Sequence, residues 1–430
     1  MGSGSQSLNL QSTDASLARA AAGISTTCPA AVERFARRLA GHTLPRFEIQ
    51  LPDGAIHVLG GSLATVRDDD AEPVRFRLRA LNRTGLEAVL SFDEPRVAEA
   101  YINGDLDLHG DFLAALDLRQ FFSDCHPFHS LWRFAPALLH GQLKTDAGAI
   151  PRHYDYGDDF YFAFLDKDVR LYSQALYRSE SETLEQAARN KLEYILDTCG
   201  LKAGSRVIDV GAGWGSFAKF AAARGVDVTM LTLAARQFAY LQQQAEQAGL
   251  PGRLRVIREN IYAFEPRERY DAVVLLGVME HLPDYEKLMA RFDGLVKPNG
   301  FVYMDFSAIR KKFNISSVVY RHVFPGNHSP VALADLLHAV SRSPFEPIAL
   351  CNDRHSYYLT LRAWALKLEA ARDHLVENFG QRTFRLFQLY LWATAHDFGR
   401  TGALESYRLV LQKSMGHDSA YVGLRKHEEH

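Results

Sequence analysis

The stretch "VIDVGAGWGSF" (207–217) sets Asp209 at the end of an apolar run, with Gly211, Gly213 and Gly215 in the turn that follows. Glycine adopts positive φ and lets a ligand approach the backbone closely. The helix expected next adds an electropositive N-terminus. Such a turn suits a small polar ligand at the carboxyl end of a strand, although a tight turn alone also asks for glycine. The spacing is not GxGxxG and no GK[ST] occurs, so a P-loop phosphate cradle is not expected. A second stretch, "HYDYGDDFYFAFLDKDVRLYSQALY" (153–177), crowds aromatic rings ahead of that loop. It lacks the i, i+3, i+4, i+7 pattern of a plain amphipathic helix. It reads as a core cluster or as the front wall of a site, and for Phe160, Phe162 and Phe164 the core reading is the stronger. Cys28, Cys125, Cys199 and Cys351 form no CxxC and no ligand-like cluster, so no metal site is expected.

These residues need elements to position them. The 430 residues exceed one ordinary core, so at least two domains are expected. Hydrophobic content of 47% and charged content of 23% are those of a globular protein. A net charge of −2 provides no global field for nucleic acid. No apolar run approaches the length of a membrane span; the longest compact one is "AVVLLGVM" (272–279). The N-terminus lacks the pattern of a secretory signal, and the few cysteines suit a reducing cytosol. Residues 1–30 and 418–430 read as loose tails.

From Pro45 to Gly110, "RFEIQLPDG", "IHVLGG", "VRFRLRAL" and "EAVLSF" read as short strands, followed by an alternating Asp-Leu segment between Gly104 and Gly110. This predicts a small mixed α/β domain over 31–145, with a helix at 131–142. From residue 180 the rhythm changes. "ETLEQAARNKLEYILDTCG" is a helix stopped by Gly200. Strands at "RVIDVGAG", "VDVTMLTL", "LRVIREN", "YDAVVLLGVME" and "GFVYMDFS" then alternate with helices. Alternation of this kind predicts a mostly parallel sheet covered on both faces. The chain beyond residue 355 reads as helical, with a last strand at "ESYRLVLQKS".

The D-x-G-x-G-x-G turn resembles that of class I S-adenosylmethionine-dependent methyltransferases. "LLGVMEHL" (275–282) and "LVKPNGFVYMD" (295–305) are similar to the segments around strands four and five of that class. Within it, the chain resembles the cyclopropane-fatty-acyl-phospholipid synthases. The carriers are "HYDYGDDFYFAFLD", "YSQA", "TLEQAARNKLE", "LTLAARQ" (231–237), "HVFPGNHSP" (322–330) and "SYYLTLRAW" (356–364). The segment "EAYINGDLDLHGD" is similar to the family's small lipid-binding domain. The resemblance implies a Rossmann-like catalytic domain over 146–417 with a seven-stranded sheet. It implies S-adenosylmethionine as cofactor, with Tyr172, Ser173, Asp209, Gly211 and Gly213 near its amino-acid end. Thr232 and Gln237 would lie near the ribose and adenosine, and Asn260 would face adenine. The partners implied are unsaturated acyl chains of phospholipids, reached peripherally at the inner face of the membrane from the cytoplasm. A homodimer is left open.

In that family an isolated alkene attacks the sulfonium methyl, and a bound bicarbonate takes a proton from the resulting cation. The product is a cyclopropane or a methyl or methylene branch. Of the residues that hold the anion, the Glu and the Tyr correspond to Glu280 and Tyr357. Gln174 stands where a Cys is usual and Asp305 where a His is usual. Two carboxylates and a bicarbonate repel one another, so whether bicarbonate is used stays open. Asp305 is the expected internal base, its pKa raised by burial beside Glu280. The alternative is a structural Asp305 bonded to a backbone N–H or Arg310. His153 is expected to pin the aromatic segment, and His281 to orient Glu280. A small isoprenoid-like acceptor, or a non-catalytic lipid-binding role, are the competing functions.

"IRKK" (309–312) is either a solvated face or a docking patch for anionic headgroups. Changing Lys311 and Lys312 together to Glu is expected to weaken binding to anionic vesicles by about 1 kcal/mol per charge if they dock there. Unaltered co-sedimentation assigns them to a solvated face.

Overall fold

The computed structural model describes residues 28–61, 73–123, 156–247, 249–310, 322–323 and 329–414. The helix expected at 131–142, His153, Lys311, Lys312 and most of the 322–330 loop lie outside the described residues. Two units are distinguished: Met1–His126 with Arg385–Leu389, and Pro127–Phe384 with Tyr390–His430.

The first unit has strands β1 (Phe47–Gln50), β2 (Ile56–Leu59), β3 (Phe76–Ala80) and β4 (Leu106–Gly110) in the order β2-β1-β3-β4. β1 runs parallel to β3, and the outer pairs are antiparallel. Phe47 and Phe76 stack with centroids 4.8 Å apart and, with Phe35 of α1 (Cys28–Leu39), anchor its core. The segment "EAVLSF", expected as a strand, is instead most of helix α2 (Arg83–Ser91). Asn82 caps it by accepting from the Gly85 N–H, and the buried Leu86 and Val89 lie one turn apart. Helices α3 (Glu94–Asn103) and α4 (Phe112–Leu116) flank β4 in the chain.

The second unit opens with α5 (Asp158–Phe162) and α6 (Leu184–Thr198). Strands β5 (Arg206–Val210), β6 (Asp227–Thr232), β7 (Leu254–Arg258), β8 (Tyr270–Leu276) and β9 (Val296–Ala308) alternate with α7 (Ser216–Ala222), α8 (Ala235–Gln247) and α9 (Tyr285–Leu295). Then come α10 (Leu333–Ser341), β10 (Phe345–Asn352), α11 (Arg354–Ala370), α12 (Arg372–Phe379), α13 (Gln381–His396) and β11 (Glu405–Lys413). The seven strands are ordered β10-β11-β9-β8-β5-β6-β7. β9, β8, β5, β6 and β7 are parallel, and β11 and β10 are antiparallel. β10 carried no sequence signal. It holds Pro347, shifts register beside it and exposes Leu350, all features of an edge strand.

Successive residues of β5 explain why the strands read as unbroken apolar runs. Val207 packs with Leu192, Phe217 and Ala221 on one face; Ile208 packs with Leu288, Phe292 and Leu336 on the other. Strand order reverses at β5, with β6 on one side and β8 on the other. A crevice forms at the carboxyl ends of strands around such a point.

One charged contact runs through this core. Lys191 of α6 places Nζ 2.7 Å from Asp305 Oδ2 on β9, with side chains 2% and 1% exposed. The same Nζ donates to Ser173 Oγ (2.7 Å) and to the Gln174 carbonyl (2.9 Å). All three ammonium donors are thereby engaged. Asp305 Oδ1 accepts from the Gly277 N–H at 2.9 Å. Burial pushes Lys191 down and Asp305 up, and each is pulled back by the other's charge. A capping box, Thr183 with Gln186, sets where α6 begins and hence the height of Lys191. Lys191→Met strands a buried carboxylate and is expected to destabilise the protein by about 3–5 kcal/mol in denaturant unfolding. Adding Asp305→Leu is expected to recover most of that loss.

Candidate active site

The glycine turn is stereochemically specific. Gly211, Gly213 and Gly215 have φ of 72°, 55° and 75°. A Cβ at Gly211 would lie 2.6 Å from Val278 Cγ2, so the ends of β5 and β8 approach each other only with glycine there. A Cβ at Gly213 would meet nothing within 4 Å, because that residue faces an open cleft. The cleft is partly open to solvent.

Gly211, Gly213, Thr232, Gln237 and Asn260 line this cleft. Thr232 Oγ1 donates to Gln237 Oε1 at 2.9 Å, which fixes both side chains. Asn260 Oδ1 accepts from the Tyr262 N–H. Tyr172, Ser173 and Asp209 are not among the lining residues. Tyr172 packs against Tyr161 (5.2 Å) and Trp364 (5.4 Å). Ser173 is buried behind Gly277, whose added Cβ would lie 3.2 Å from Ser173 Cβ. Asp209 is buried, and desolvation pushes its pKa up to about 7 against the pull of Lys191. Glu259 and His281 also line the cleft. Glu259 was missed, and its only sequence signal is its place just after β7.

The aromatic stretch folds onto the glycine turn. Trp214 Nε1 donates to Asp158 Oδ1 at 3.0 Å, and its ring meets Tyr161 at 5.1 Å and Phe162 at 5.6 Å. Phe160, Tyr161 and Phe164 are fully buried. Phe162 is half-buried beneath the Arg170 guanidinium, 4.5 Å from its ring. The stretch is therefore core beneath and wall beside the turn.

The four residues expected to do chemistry divide. Glu280 lies in a short turn after β8 and is buried. Its Oε1 accepts from both the Ser307 N–H and Ser307 Oγ, each at 2.7 Å. Its Oε2 is buried and accepts no hydrogen bond among the described residues. Desolvation raises its pKa, the Ser307 bonds oppose that, and Asp305 adds to it. Asp305 was expected to stand beside Glu280 as a free internal base; instead Lys191 and the Gly277 N–H hold it. Its expected alternative partner Arg310 pairs with Glu405 at 2.7 Å. Gln174 is tied into a buried network: Nε2 donates to Asp353 Oδ2 at 3.2 Å, and Ser406 Oγ donates to Gln174 Oε1. Asp353, pushed up to about 6 by burial, faces Arg408 at 3.5 Å. Tyr357 is half-buried on α11, its ring 4.6 Å from that of Phe398. Sequence reading missed Ser307 and Lys191. A serine at a strand end and a lysine inside an amphipathic helix both look like surface residues until the fold buries their partners.

Comparison with known proteins follows the same lines. Residues 141–408 match the family described as mycolic acid cyclopropane synthetase. The sphingolipid C9-methyltransferase of Komagataella phaffii is 26% identical over 74% of this chain and 69% of its own length. A Mycobacterium tuberculosis protein named "Probable fatty acid methyltransferase" is 32% identical over 62% of this chain and 63% of its own. The chain thus spans about two thirds of the length of these relatives. The structure of the cyclopropane synthase MmaA2 from Mycobacterium tuberculosis superposes with a TM-score of 0.58 at 24% identity, over 62% of this chain and 98% of that one. With a match across more than half of its sequence, a seven-stranded methyltransferase sheet and a glycine turn opening on a cleft, the chain belongs to the mycolic acid cyclopropane synthetase family of S-adenosylmethionine-dependent methyltransferases.

Proposed function

We propose that the protein methylates carbon at the double bond of unsaturated chains in membrane lipids, with phospholipid acyl chains as the first candidate acceptor. The observation that carries this reading is a glycine-walled cleft at the carboxyl ends of β5 and β6, with a buried carboxylate, Glu280, in the turn that forms another part of its wall. The residues present fit S-adenosylmethionine. Gly213 leaves the space a side chain would fill, and Thr232, Gln237, Glu259 and Asn260 offer polar groups along one wall. When bound there, the cofactor supplies an electrophilic methyl on a sulfonium.

The chain's own residues do the rest. The Trp214–Asp158 bond and the rings of Tyr161 and Tyr172 hold the aromatic wall against the glycine turn. That wall favours an apolar chain over water, which matters because a cation formed at a former double bond is quenched by water. We assign the first unit a lipid-binding role and the second the chemistry. No helix among the described residues is long and apolar enough to cross a membrane. In this reading the acceptor is reached at the lipid surface, on the cytoplasmic side. The likeness to sphingolipid C9-methyltransferases supports a second acceptor class, the unsaturated chain of a sphingolipid.

Incubation with methyl-labelled cofactor and vesicles of unsaturated phospholipid, or of sphingolipid, followed by lipid mass spectrometry, separates these acceptors. Gain of one CH2 in a chain that loses its double bond indicates a cyclopropane; gain with an unsaturation retained indicates a branch. Label in neither lipid class overturns the reading. Gly213→Ala places a methyl into the cleft at a positive φ, a strain of about 1–2 kcal/mol. The variant is expected to fold and to lose cofactor affinity at least tenfold by calorimetry; unchanged affinity places the cofactor elsewhere.

A further inference from the structure

The helices of the first unit cover one face of its sheet. Phe47 and Ile49 of β1 and Phe76 and Leu78 of β3 point into a core that Phe35 of α1 and Leu86 of α2 help to close. Side chains alternate between the faces of a strand, so the residues between these point the other way. Register aligns them in two rows across the sheet: Ile56, Gln50 and Arg79 in one, Val58, Glu48 and Arg77 in the next. On β2 the usual pattern of a half-buried strand is inverted. Ile56 and Val58 are each 47% exposed, while His57 between them is half-buried. Val74 and Leu81, just beyond the two ends of β3, are exposed as well. Seven large hydrophobic residues are exposed among the described ones, and the smaller unit holds these four, so its apolar exposure is concentrated rather than scattered.

The charges of this face do not cancel. Glu48 is held by Arg77 at 2.5 Å. Asp107 of β4 stands directly across from Arg79, yet it pairs with Arg385 instead. Arg79 is left exposed, with no ion pair among the described residues. Both acids are thus neutralised, and a guanidinium is spare beside two exposed aliphatic side chains. We propose that this face of the first unit docks on the surface of a bilayer that carries anionic phospholipid, with Ile56 and Val58 entering the acyl boundary and Arg79 meeting a headgroup phosphate. This rests on the lipid-methylation reading above, which requires the chain to reach a bilayer.

The arrangement identifies its occupant by chemistry. An aliphatic side chain gains by leaving water for hydrocarbon, and a guanidinium gains by bridging phosphate oxygens with two N–H groups. An interfacial surface presents both at one level. Ile56 and Arg79 stand in the same row, two strands apart or about 10 Å, so neighbouring headgroups span them. A second copy of the chain is the competing occupant, because β2 is an edge strand. Pairing two such edges joins backbones in the plane of the sheet and leaves the side chains of Ile56 and Val58 standing off its face. β2 is also only four residues long, with Gly54 before it and Gly60 and Gly61 after it at positive φ, which limits such a pairing.

The test measures co-sedimentation of the full chain with vesicles of zwitterionic phospholipid, alone and with anionic phospholipid added, and light scattering for the mass of the free protein. The unaltered chain is expected to bind the anionic vesicles more tightly and to lose that preference at high salt. Ile56→Ser combined with Val58→Ser is expected to weaken binding to both kinds of vesicle by about tenfold or more. Arg79→Gln is expected to weaken binding to anionic vesicles about fivefold and to leave zwitterionic binding unchanged, and Arg79→Lys to restore most of the loss. Thermal unfolding and cofactor affinity are expected to change little, because these side chains are exposed. Vesicle binding that none of these variants alters overturns the assignment. So does a fall in the mass of the free protein with vesicle binding retained, which marks the face as an interface between copies. Methyl transfer to detergent-dispersed lipid by a chain that binds no vesicles overturns the docking while leaving lipid methylation standing. Transfer to neither vesicles nor dispersed lipid overturns both.

Discussion

The second unit depends on a lysine that cannot reach water. Lys191 rises from α6 into a space bounded by the end of β9 and the segment carrying Ser173 and Gln174. An ammonium there is tolerated only if every N–H finds an acceptor, and the three acceptors come from two separate stretches of chain. Meeting that demand fixes α6, β9 and the 173–174 segment against one another. Asp305 passes the constraint on through the Gly277 N–H to the end of β8, where the cleft begins. The walls of the cleft are thus set by a charge pair that does not itself line it. This also accounts for the Asp at a position where a free base was expected. Its charge balances Lys191, while Glu280, one strand away, has an oxygen that accepts no hydrogen bond among the described residues.

A second layer of constraint is aromatic. Gly157 precedes α5 at a φ of 91°, where a Cβ would press within 3.0 Å of the Arg236 guanidinium. The short helix that follows drives Phe160 and Tyr161 inward and leaves Asp158 at its start to receive the Trp214 N–H. Asp166 then gathers three successive backbone N–H groups and turns the chain through Arg170, at a φ of 61°. The turn delivers Tyr172 to the same aromatic cluster and Ser173 to Lys191. The acidic residues of this stretch serve geometry, because a carboxylate is the side chain best able to satisfy several N–H donors at once.

A third network, Gln174–Asp353–Arg408 with Ser406, fills the remaining polar space beneath α11 and β11. The Arg408 guanidinium lies 4.4 Å from the centre of the Tyr194 ring, so the cation is partnered by a π face as well as by a carboxylate. An amide at position 174 suits this setting, since it donates to one neighbour and accepts from another.

By itself the sequence determined the architecture and the place of the cleft. Apolar runs of strand length, helices with caps and glycines at the strand-to-helix turn are local features, and their order alone prescribes a parallel sheet with a crevice at the strand ends. Its failures were also local. "EAVLSF" has strand-forming residues, but the Asn82 cap and burial of Leu86 and Val89 made it helix, and β10 hid behind Pro347. Only the tertiary structure decided which side chains are engaged and which are open. Asp305 and Glu280 are both acidic residues at strand ends, and nothing in their flanking sequence separates an ion-paired carboxylate from one with a bare oxygen. That difference depends on Lys191, more than a hundred residues away in the chain, and on whether Ser307 directs both its donors to one atom. Hydrogen bonds and buried charges are set by distances of a few tenths of an ångström, and such distances exist only once the sheet has brought the strands together.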